Sequence, residues 1–309
     1  MLKQLMDRVV TVPLVGVDLG SAVIKVVEVK RLNGQVQLSR CATASVEGQE
    51  PATVLKLLCE KANLTTSQAA LGLAAPEVIV RQFQFPHMPR KELSSAITLE
   101  AEQAILNGHA LGQMATDWQV FHASRQDAVR GLIAVVPKEE LSARLKIAKT
   151  AEMKPVVVDV EGLALWNAYW VLKGAHEPTP STVLLVNVGA RTTNLVIAKG
   201  PDELILVRDL HLGAQALRGG QGNEWAAEER DSLGYARSKG GLRTLDSAYL
   251  TGGGSSPDVM TLLGSAVTAP VECWNPLHQL VRQPDGPRVE ESVGPLLAIA
   301  IGLALRQPS

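Results

Sequence analysis

The sequence predicts an α/β fold that is built from two similar halves. Apolar, strand-like runs alternate with helical patterns along the chain, which is typical of an α/β protein. A strand–turn–strand pattern at residues 15–30 is repeated at residues 184–199, where Gly189 stands in the place of Gly20 and Val186 in that of Val17. Two copies of one hairpin, each opening a half of the chain, indicate the internal duplication of a domain.

Length and composition support a globular protein and disfavour nucleic acid as a main ligand. The chain has 309 residues, a length typical of about two domains. Hydrophobic residues make up 46%, which provides a core and excludes intrinsic disorder. The 30 basic and 31 acidic residues leave a net charge of -1, whereas a nucleic-acid-binding protein usually carries a basic excess or stripe.

The cysteines and the apolar runs predict a reducing compartment and no membrane span. Cys41, Cys59 and Cys273 show no CxxC spacing, which favours reduced thiols in a cytosolic protein. The longest apolar run, at residues 293–305, is shorter than the roughly 20 residues that cross a bilayer. Residues 1–10 have a helical apolar spacing, and this segment either packs on its own domain or lies on a membrane surface.

The first half alternates strands and helices. A three-stranded meander opens it, and a helix follows after Pro51, because proline is favoured in the first turn of a helix. Apolar residues at three- and four-residue steps predict the longest helix, at residues 91–107. The predicted strands lie at residues 14–19, 23–29, 36–39, 69–75, 78–85, 118–124, 131–136 and 156–160, and the predicted helices at residues 52–61, 91–107, 137–151 and 161–172.

A proline-rich stretch marks the boundary between the halves. Residues 174–181 contain Pro178 and Pro180, a composition that favours a connecting loop. The second half then begins with the repeated hairpin and a third strand at residues 203–208. Beyond it, the sequence predicts one short helix near residues 225–235 between two glycine-rich stretches.

The tips of the two hairpins are suited to holding phosphate groups. Small residues at a tip, here Gly20, Ser21 and Gly189, let backbone N–H groups approach phosphate oxygens. Asp18 lies just before the first tip and can hold Mg²⁺ through water, while Lys25 can supply a positive charge. The alternative is that Asp18 belongs to an ordinary turn and Lys25 is a solvated strand residue.

Further segments follow the hairpins in a fixed order. They are the helix within residues 85–105, the strand and helix of residues 153–165, the glycine loop of residues 250–254, the strand of residues 271–276 and a closing helix in residues 294–306. In this order they resemble the actin-like ATPase superfamily, and most closely the PilM family of type IV pilus assembly proteins, which is related to the cell-division protein FtsA.

This resemblance implies an actin-like, ribonuclease H-like fold with two duplicated domains. The first domain would span residues 12–177 and carry an FtsA/PilM-type extra subdomain inserted at about residues 76–130. The second would span residues 178–309, with a closing helix at about residues 293–306 that packs back on the first. The subdomain on the adenine side is expected to be reduced, because few residues separate Leu212 from Thr251.

The resemblance also implies a site for ATP and Mg²⁺. Asn187 occupies the position where actin-like ATPases usually carry aspartate, and its amide lacks the charge that attracts a metal. Together with a reduced adenine side, this predicts weakened or lost nucleotide binding and no meaningful hydrolysis. The implied cofactor-binding residues are Asp18, which is also the Mg²⁺ residue, Gly20, Ser21, Lys25, Asn187, Gly189, Arg191, Thr192, Gly252, Gly253 and Gly254.

The PilM family implies a cytoplasmic adaptor at the inner face of the inner membrane. Its members bind the N-terminal tail of the inner-membrane protein PilN and link it to other pilus platform proteins, so that membrane contact is made only through a partner. The resemblance places this tail between the extra subdomain and the first half. Phe83, Phe85, Leu93 and Ile97 are predicted to line the groove, and the alternative is that they form the core of the subdomain itself.

Two other functions are also compatible with the sequence. A small ATP-dependent kinase of the same superfamily would need a carboxylate base and a complete nucleotide pocket, so Asn187 and the short adenine side disfavour it. The cytoplasmic domain of the related type II secretion L protein has a similar fold, but that protein continues into a transmembrane helix, whereas no such helix precedes Ser309.

Overall fold

The computed structural model describes residues 14–32, 34–105, 111–123, 128–176, 181–201, 203–281 and 287–306. The helix predicted at residues 1–10 lies outside the described residues. The strands are β1 (Val15–Leu19), β2 (Val23–Leu32), β3 (Gln35–Ser45), β4 (Gln68–Leu73), β5 (Ile79–Phe85), β6 (Met114–Ala123), β7 (Val129–Pro137), β8 (Lys154–Val160), β9 (Thr182–Val188), β10 (Thr193–Lys199), β11 (Glu203–Leu210), β12 (Ser247–Thr251) and β13 (Val271–Cys273). The α-helices are α1 (Pro51–Ala62), α2 (Arg90–Ala104), α3 (Lys138–Thr150), α4 (Glu161–Leu172), α5 (Ala214–Arg218), α6 (Gly222–Ser238), α7 (Pro257–Ala266) and α8 (Ala298–Ala304).

The two halves have sheets of the same topology. The first sheet has the order β3-β2-β1-β4-β8, and the second has the order β11-β10-β9-β12-β13. In each, the first three strands form an antiparallel meander and the last two run parallel to its first strand. The duplication that the two hairpins predict is therefore present in the strand order of the whole sheets.

Helix α4 lies at the centre of the main hydrophobic core. It is buried along nearly its whole length, which fits its continuous apolar sequence, and packs against residues of both sheets. Helix α8 packs against α4, β1, β2 and β4, and Asn167 Nδ2 donates to the Gly302 carbonyl at 2.9 Å. The C-terminal helix thus lies against the first half of the chain.

The closing helix is shorter than the sequence predicts. Instead of one helix over residues 293–306, two 3₁₀ turns at Glu291–Val293 and Pro295–Leu297 precede α8. Pro295 has no backbone N–H to donate within a continuous helix, which accounts for the break. None of the helices in the described part of the chain is long and apolar enough to cross a membrane.

A small subdomain is inserted between β4 and α3. Its sheet has the order β5-β7-β6, and α2 covers one face. The strands of this sheet continue to Pro137, beyond the boundary near residue 130 that the sequence suggests. The opposite face, which includes Leu132 and Phe121, packs on the main core, where the Phe121 and Trp166 rings meet edge to face at 6.3 Å.

The connection between β11 and β12 is short. It contains α5 and α6, of which α6 is longer than the single helix predicted near residues 225–235. The apolar face of α6 includes Trp225, whose ring is fully buried and whose Nε1 donates to Thr193 Oγ1 at 3.1 Å. This segment therefore lies on the second sheet as a single layer, in agreement with a reduced subdomain.

Candidate functional site

The first hairpin carries a buried ion pair. Asp18 and Lys25 are register partners on β1 and β2, and Lys25 Nζ lies 2.9 Å from Asp18 Oδ2. Both side chains are at most 10% exposed. A Cβ atom on Gly20 would lie 2.6 Å from the backbone carbonyl oxygen of Val23, so glycine is required at this turn. Ser21, at the tip, is exposed. The structure thus turns Lys25 toward Asp18 and does not leave it in solvent.

The second hairpin carries a pair of amides at the equivalent positions. Asn187 and Asn194 are register partners on β9 and β10, and Asn187 Nδ2 donates to Asn194 Oδ1 at 2.7 Å. Gly189 N donates to the Thr192 carbonyl at 2.9 Å, which closes the turn. Thr192 is half-buried and Arg191 is exposed at the tip. Both hairpins therefore have a polar cross-strand pair behind a small-residue tip.

Two carboxylates that the sequence analysis did not select, Glu161 and Asp209, join the two polar pairs in one cluster, which we call the cleft. Asn194 Nδ2 donates to Asp209 Oδ1 at 2.8 Å and lies 3.5 Å from Glu161 Oε2. Ala75 N also donates to Asp209, at 3.2 Å to Oδ2, which connects the chain before β5 to the second half. Glu161 directly follows β8, and Asp209 lies near the end of β11. Each carboxylate lies at or just after the end of a strand, but no local spacing in the sequence pairs the two residues.

Burial and mutual repulsion favour protonation of these carboxyls. Burial, followed by the negative charge of Asp18, raises the pKa of Glu161 to about 7, although Arg144 and Lys25 oppose this shift. Burial raises the pKa of Asp209 to about 6, against the hydrogen bonds from Asn194 and Ala75. The cleft can therefore take up or release protons close to neutral pH.

A second cation lies near the first hairpin. Arg144, on α3, donates from Nη1 to the Leu19 carbonyl at 2.7 Å and is half-buried. Its charge also acts on Glu161. Arg144 thus ties a helix of the first half to the base of the hairpin tip, a contact between residues 125 positions apart that the sequence analysis did not anticipate.

The glycine loop of residues 252–254 lies against the second hairpin. Gly252 has a φ of +94°, and a Cβ atom there would lie 2.7 Å from Asn187 Oδ1. Gly254 N donates to the Val188 carbonyl at 2.8 Å. A Cβ atom on Gly253 would meet only the Leu296 side chain within 4 Å. The structure therefore brings this loop and Asn187 together at the C-terminal ends of β9 and β12.

The residues of the cleft fit a phosphate with a hydrated magnesium ion. The backbone is at least partly exposed at Gly20, Gly189, Gly253 and Gly254, while Gly252 is buried. The acidic oxygens of Asp18, Glu161 and Asp209 lie behind this surface, in buried side chains. No cluster of three or more His, Cys, Asp or Glu residues suited to a metal occurs among the residues that the structure describes. Mg²⁺ bound to a nucleotide usually takes only one or two carboxylates, with water and phosphate as its other ligands. Asp18 lies just behind the tip of the first hairpin, where its carboxylate is paired with Lys25.

The four residues predicted to line a peptide groove lie in the core of the inserted subdomain. Phe83 and Leu93 are 5% exposed and Ile97 is 1% exposed. The rings of Phe83 and half-buried Phe85 stack at 5.3 Å. They pack with Ile133 and other apolar residues of β7 beneath α2. These side chains therefore hold the subdomain together, as the alternative expects, and a part for them in binding a peptide stays a prediction.

A duplicated α/β fold with a glycine-tipped hairpin on each side of a polar cleft defines the actin-like class. The sequence model of the family "Type IV pilus assembly protein PilM" matches residues 16–229, which is more than half of the chain. The chain therefore belongs to the PilM family of type IV pilus assembly proteins. Both the family and the fold class that the sequence predicts are confirmed.

The chain is also similar to several solved structures. The chain is similar to the structure described as the PilM-PilN type IV pilus biogenesis complex, with 25% identity, a TM-score of 0.78, and coverage of 95% of this chain and 98% of that one. It is less similar to the cytoplasmic domain of EpsL, an inner membrane component of the type II secretion system of Vibrio cholerae, with 13% identity, a TM-score of 0.49, and coverage of 94% and 95%. A Bacteroides thetaiotaomicron protein with an actin-like ATPase fold has 9% identity, a TM-score of 0.48, and coverage of 84% and 90%.

Proposed function

We propose that this protein is an adaptor of type IV pilus biogenesis that binds the cytoplasmic N-terminal tail of a PilN-like inner-membrane protein. The observation that carries the proposal is the similarity to a PilM-PilN complex along nearly the full length of both chains. Membership of the PilM family supports it independently. The adaptor would lie at the inner face of the membrane, held there by its partner, and from that position would contact other platform proteins.

The cleft is proposed to bind Mg·ATP without meaningful hydrolysis. The glycine backbone of both hairpins would approach the phosphates, and Asp18 would hold Mg²⁺ through water. When bound, the nucleotide supplies phosphate charge that Lys25 and Arg144 can neutralise. Asn187 places a neutral amide where a carboxylate would attract the metal, and its Nδ2 is already engaged by Asn194. Phosphoryl transfer depends on exact metal and water positioning, which these features disfavour.

The two alternative functions are not favoured. A small kinase would need a fuller adenine side than the layer formed by α5 and α6 provides. A type II secretion L-like domain is disfavoured because the chain matches the PilM family. The chain is also more similar to the PilM-PilN complex than to the cytoplasmic domain of EpsL.

A fluorescence titration with a synthetic tail peptide tests the adaptor function. The probe is the N-terminal cytoplasmic segment of the PilN-like protein from the same genome, labelled at its C-terminus, and the control is a peptide of scrambled sequence. We expect saturable binding of the native peptide alone. If the native peptide fails to bind at about 1 mM, where the standard binding free energy is only about -4 kcal/mol, the adaptor proposal is overturned.

A further inference from the structure

The first sheet has one end that lies opposite the cleft. Strand β1 lies between β2 and β4, and β8 lies beyond β4. Val15, at the start of β1, pairs with Glu28 of β2, and Gln68 of β4 pairs with Lys154 of β8. Asp18, in the cleft, is near the other end of β1. The four strands therefore share one end away from the cleft, which we call the basal end and define as residues 28–32, 60–68 and 149–156.

The β2–β3 hairpin extends beyond β1 at the basal end. In the described part of the chain, β1 pairs with β2 as far as Glu28, whereas β2 continues to Leu32 and still pairs with β3 there. Lys30 is exposed, and Leu32 is 58% exposed. Alternate residues of a strand point to the same face, so these two side chains lie next to each other. The hairpin thus presents a cation and a large apolar side chain together.

Two helices bring further lysines to the basal end. Helices α1 and α3 pack on one face of the first sheet, with Lys61 in the last turn of α1 and Lys149 in the last turn of α3. A lysine near a helix C-terminus stabilises the helix, which is a sufficient reason for both. Lys30 and Lys154 lie on strands, where that reason does not apply. The positive charge of the basal end therefore exceeds what helix stability explains.

This positive charge is not balanced by acidic residues. Glu28 is paired with Arg40, and Glu152 is paired with Lys56. Glu60 is the one further acidic residue in the three segments of the basal end. Four exposed lysines have no acidic group within salt-bridge distance in the described part of the chain: Lys30, Lys61, Lys149 and Lys154. The whole chain has a net charge of -1, so cations are concentrated at this end.

The N-terminal segment of the chain joins the fold at the same end. Leu14 directly precedes β1, and residues 1–10 carry Lys3 and Arg8 against one acidic residue, Asp7. The apolar residues of this segment recur at helical spacing. Basic residues combined with such spacing are typical of segments that lie in a membrane interface. The sequence before β1 therefore favours the same kind of partner as the charges of the basal end.

We infer that the basal end docks on an anionic lipid surface. Near such a surface, each lysine strengthens binding by about fivefold. Lys30 on β2 and Lys154 on β8 are three strand spacings apart, about 14 Å, so the lysines are spread over one broad end of the molecule. Leu32, beside Lys30, would enter the boundary between headgroups and acyl chains. A plane of anionic headgroups is the partner that fits both features.

This inference does not rest on the proposed adaptor function. The family resemblance implies that the membrane is reached only through a partner, whereas the basal end adds a direct contact with lipid. The contact also orients the molecule, because the cleft lies at the opposite end of β1 and would face away from the membrane.

Co-sedimentation with lipid vesicles tests the inference on the full chain. The vesicles contain phosphatidylglycerol and phosphatidylcholine in equal parts, and vesicles of phosphatidylcholine alone are the control. We expect the protein to bind the anionic vesicles at least tenfold more tightly than the neutral ones. Raising the salt concentration from about 0.1 M to about 1 M, which shortens the Debye length from roughly 10 Å to roughly 3 Å, should abolish binding.

Matched variants locate the contact. We expect Lys30→Gln combined with Lys154→Gln to weaken binding to anionic vesicles by more than tenfold, since two lysines are lost. The control is Arg90→Gln combined with Lys91→Gln, which removes two exposed cations from α2 and should leave binding unchanged.

A second pair of variants tests the apolar contact. Leu32→Ser should weaken binding by about fivefold, whereas Leu99→Ser, at a residue that is 56% exposed on α2, should have no effect. All the substituted side chains are exposed, so the variants should fold, and thermal melting verifies this.

Three results would overturn the inference. They are a wild-type protein that does not bind anionic vesicles, equal binding to neutral vesicles, and wild-type affinity in the double variant at Lys30 and Lys154. The first result would favour the alternative in which residues 1–10 pack on their own domain. In each case the adaptor function stands, because the titration with the tail peptide contains no lipid and tests that function separately.

Discussion

The two hairpins of the cleft occupy equivalent positions in a duplicated fold but differ in charge. Asp18 and Lys25 form a buried ion pair on β1 and β2, while Asn187 and Asn194 form a neutral amide pair on β9 and β10. Each pair consists of register partners just behind a glycine tip. The fold thus requires a satisfied polar pair at this position, but it does not require a charged one.

In the second half, the carboxyl group nearest the hairpin lies on a different strand, β11. Asp209, on β11, receives the second amide hydrogen bond of the network through Asn194, and Glu161 approaches from α4. The cleft therefore keeps three carboxyl groups despite the amide at Asn187. Since two of them have raised pKa values, however, the charge available to a metal depends on pH.

The largest effect is expected from breaking the charged pair. Lys25→Met leaves the Asp18 carboxylate buried without its ion-pair partner, a change that typically costs 3–5 kcal/mol, so we expect a loss of about 3 kcal/mol in the free energy of unfolding. Urea denaturation measures it. The double variant Lys25→Met with Asp18→Leu should recover part of the loss, and a single variant as stable as wild type would contradict the role of the pair.

The two buried carboxyls of the cleft with raised pKa values predict a pH-dependent stability. The pKa values of Glu161 and Asp209 are raised to about 7 and about 6 in the folded protein, so the folded state binds more protons than the unfolded state between about pH 4 and pH 7. Stability should therefore fall as pH rises through this window, by about 3 kcal/mol for each group in denaturant titrations. Glu161→Gln should flatten the profile, and an equally steep profile in this variant would exclude Glu161 as a source.

A charge placed on the second hairpin makes it more similar to the first. In Asn187→Asp, a carboxylate faces Asn194 Oδ1, so the Asn194 amide has to turn and its NH₂ group leaves Asp209. We expect a loss of about 1 kcal/mol in stability. Binding of Mg·ATP should tighten by about tenfold, which is 1.4 kcal/mol in calorimetry. Unchanged affinity would show that the short adenine side, and not Asn187, limits nucleotide binding.

The smallest effect is expected at the tip of the second hairpin. Arg191 is exposed, so Arg191→Ala should change the free energy of unfolding by less than about 0.5 kcal/mol. It should nevertheless weaken Mg·ATP binding by a few fold if the tip faces phosphate. Lys199→Ala, at the other end of β10 and also exposed, is the matched control for a loss of charge alone. Equal affinities of the two variants for Mg·ATP would show that Arg191 does not contribute to the nucleotide site.

The sequence predicts the repeated parts of this molecule well. Gly20 and Gly189 identify the hairpins because a tight turn needs small residues locally, and the family and fold follow from the order of such motifs. Glu161 and Asp209 escape prediction because their proximity depends on how the two sheets pack, which no local spacing encodes. Phe83 and Phe85 do share one face of β5, as their alternation predicts, but the pattern does not reveal that α2 covers that face.

Calorimetric titration of the protein with Mg·ATP, followed by analysis of the recovered nucleotide, tests most directly the claim that the cleft is a binding site and not a catalytic one. We expect saturable heat that is lost in Asp18→Ala, with the ATP recovered intact. Turnover near 1 s⁻¹, at the lower end of the roughly 1–100 s⁻¹ of ordinary kinases, that Asp18→Ala abolishes would contradict it. So would the absence of any binding heat in the wild-type protein.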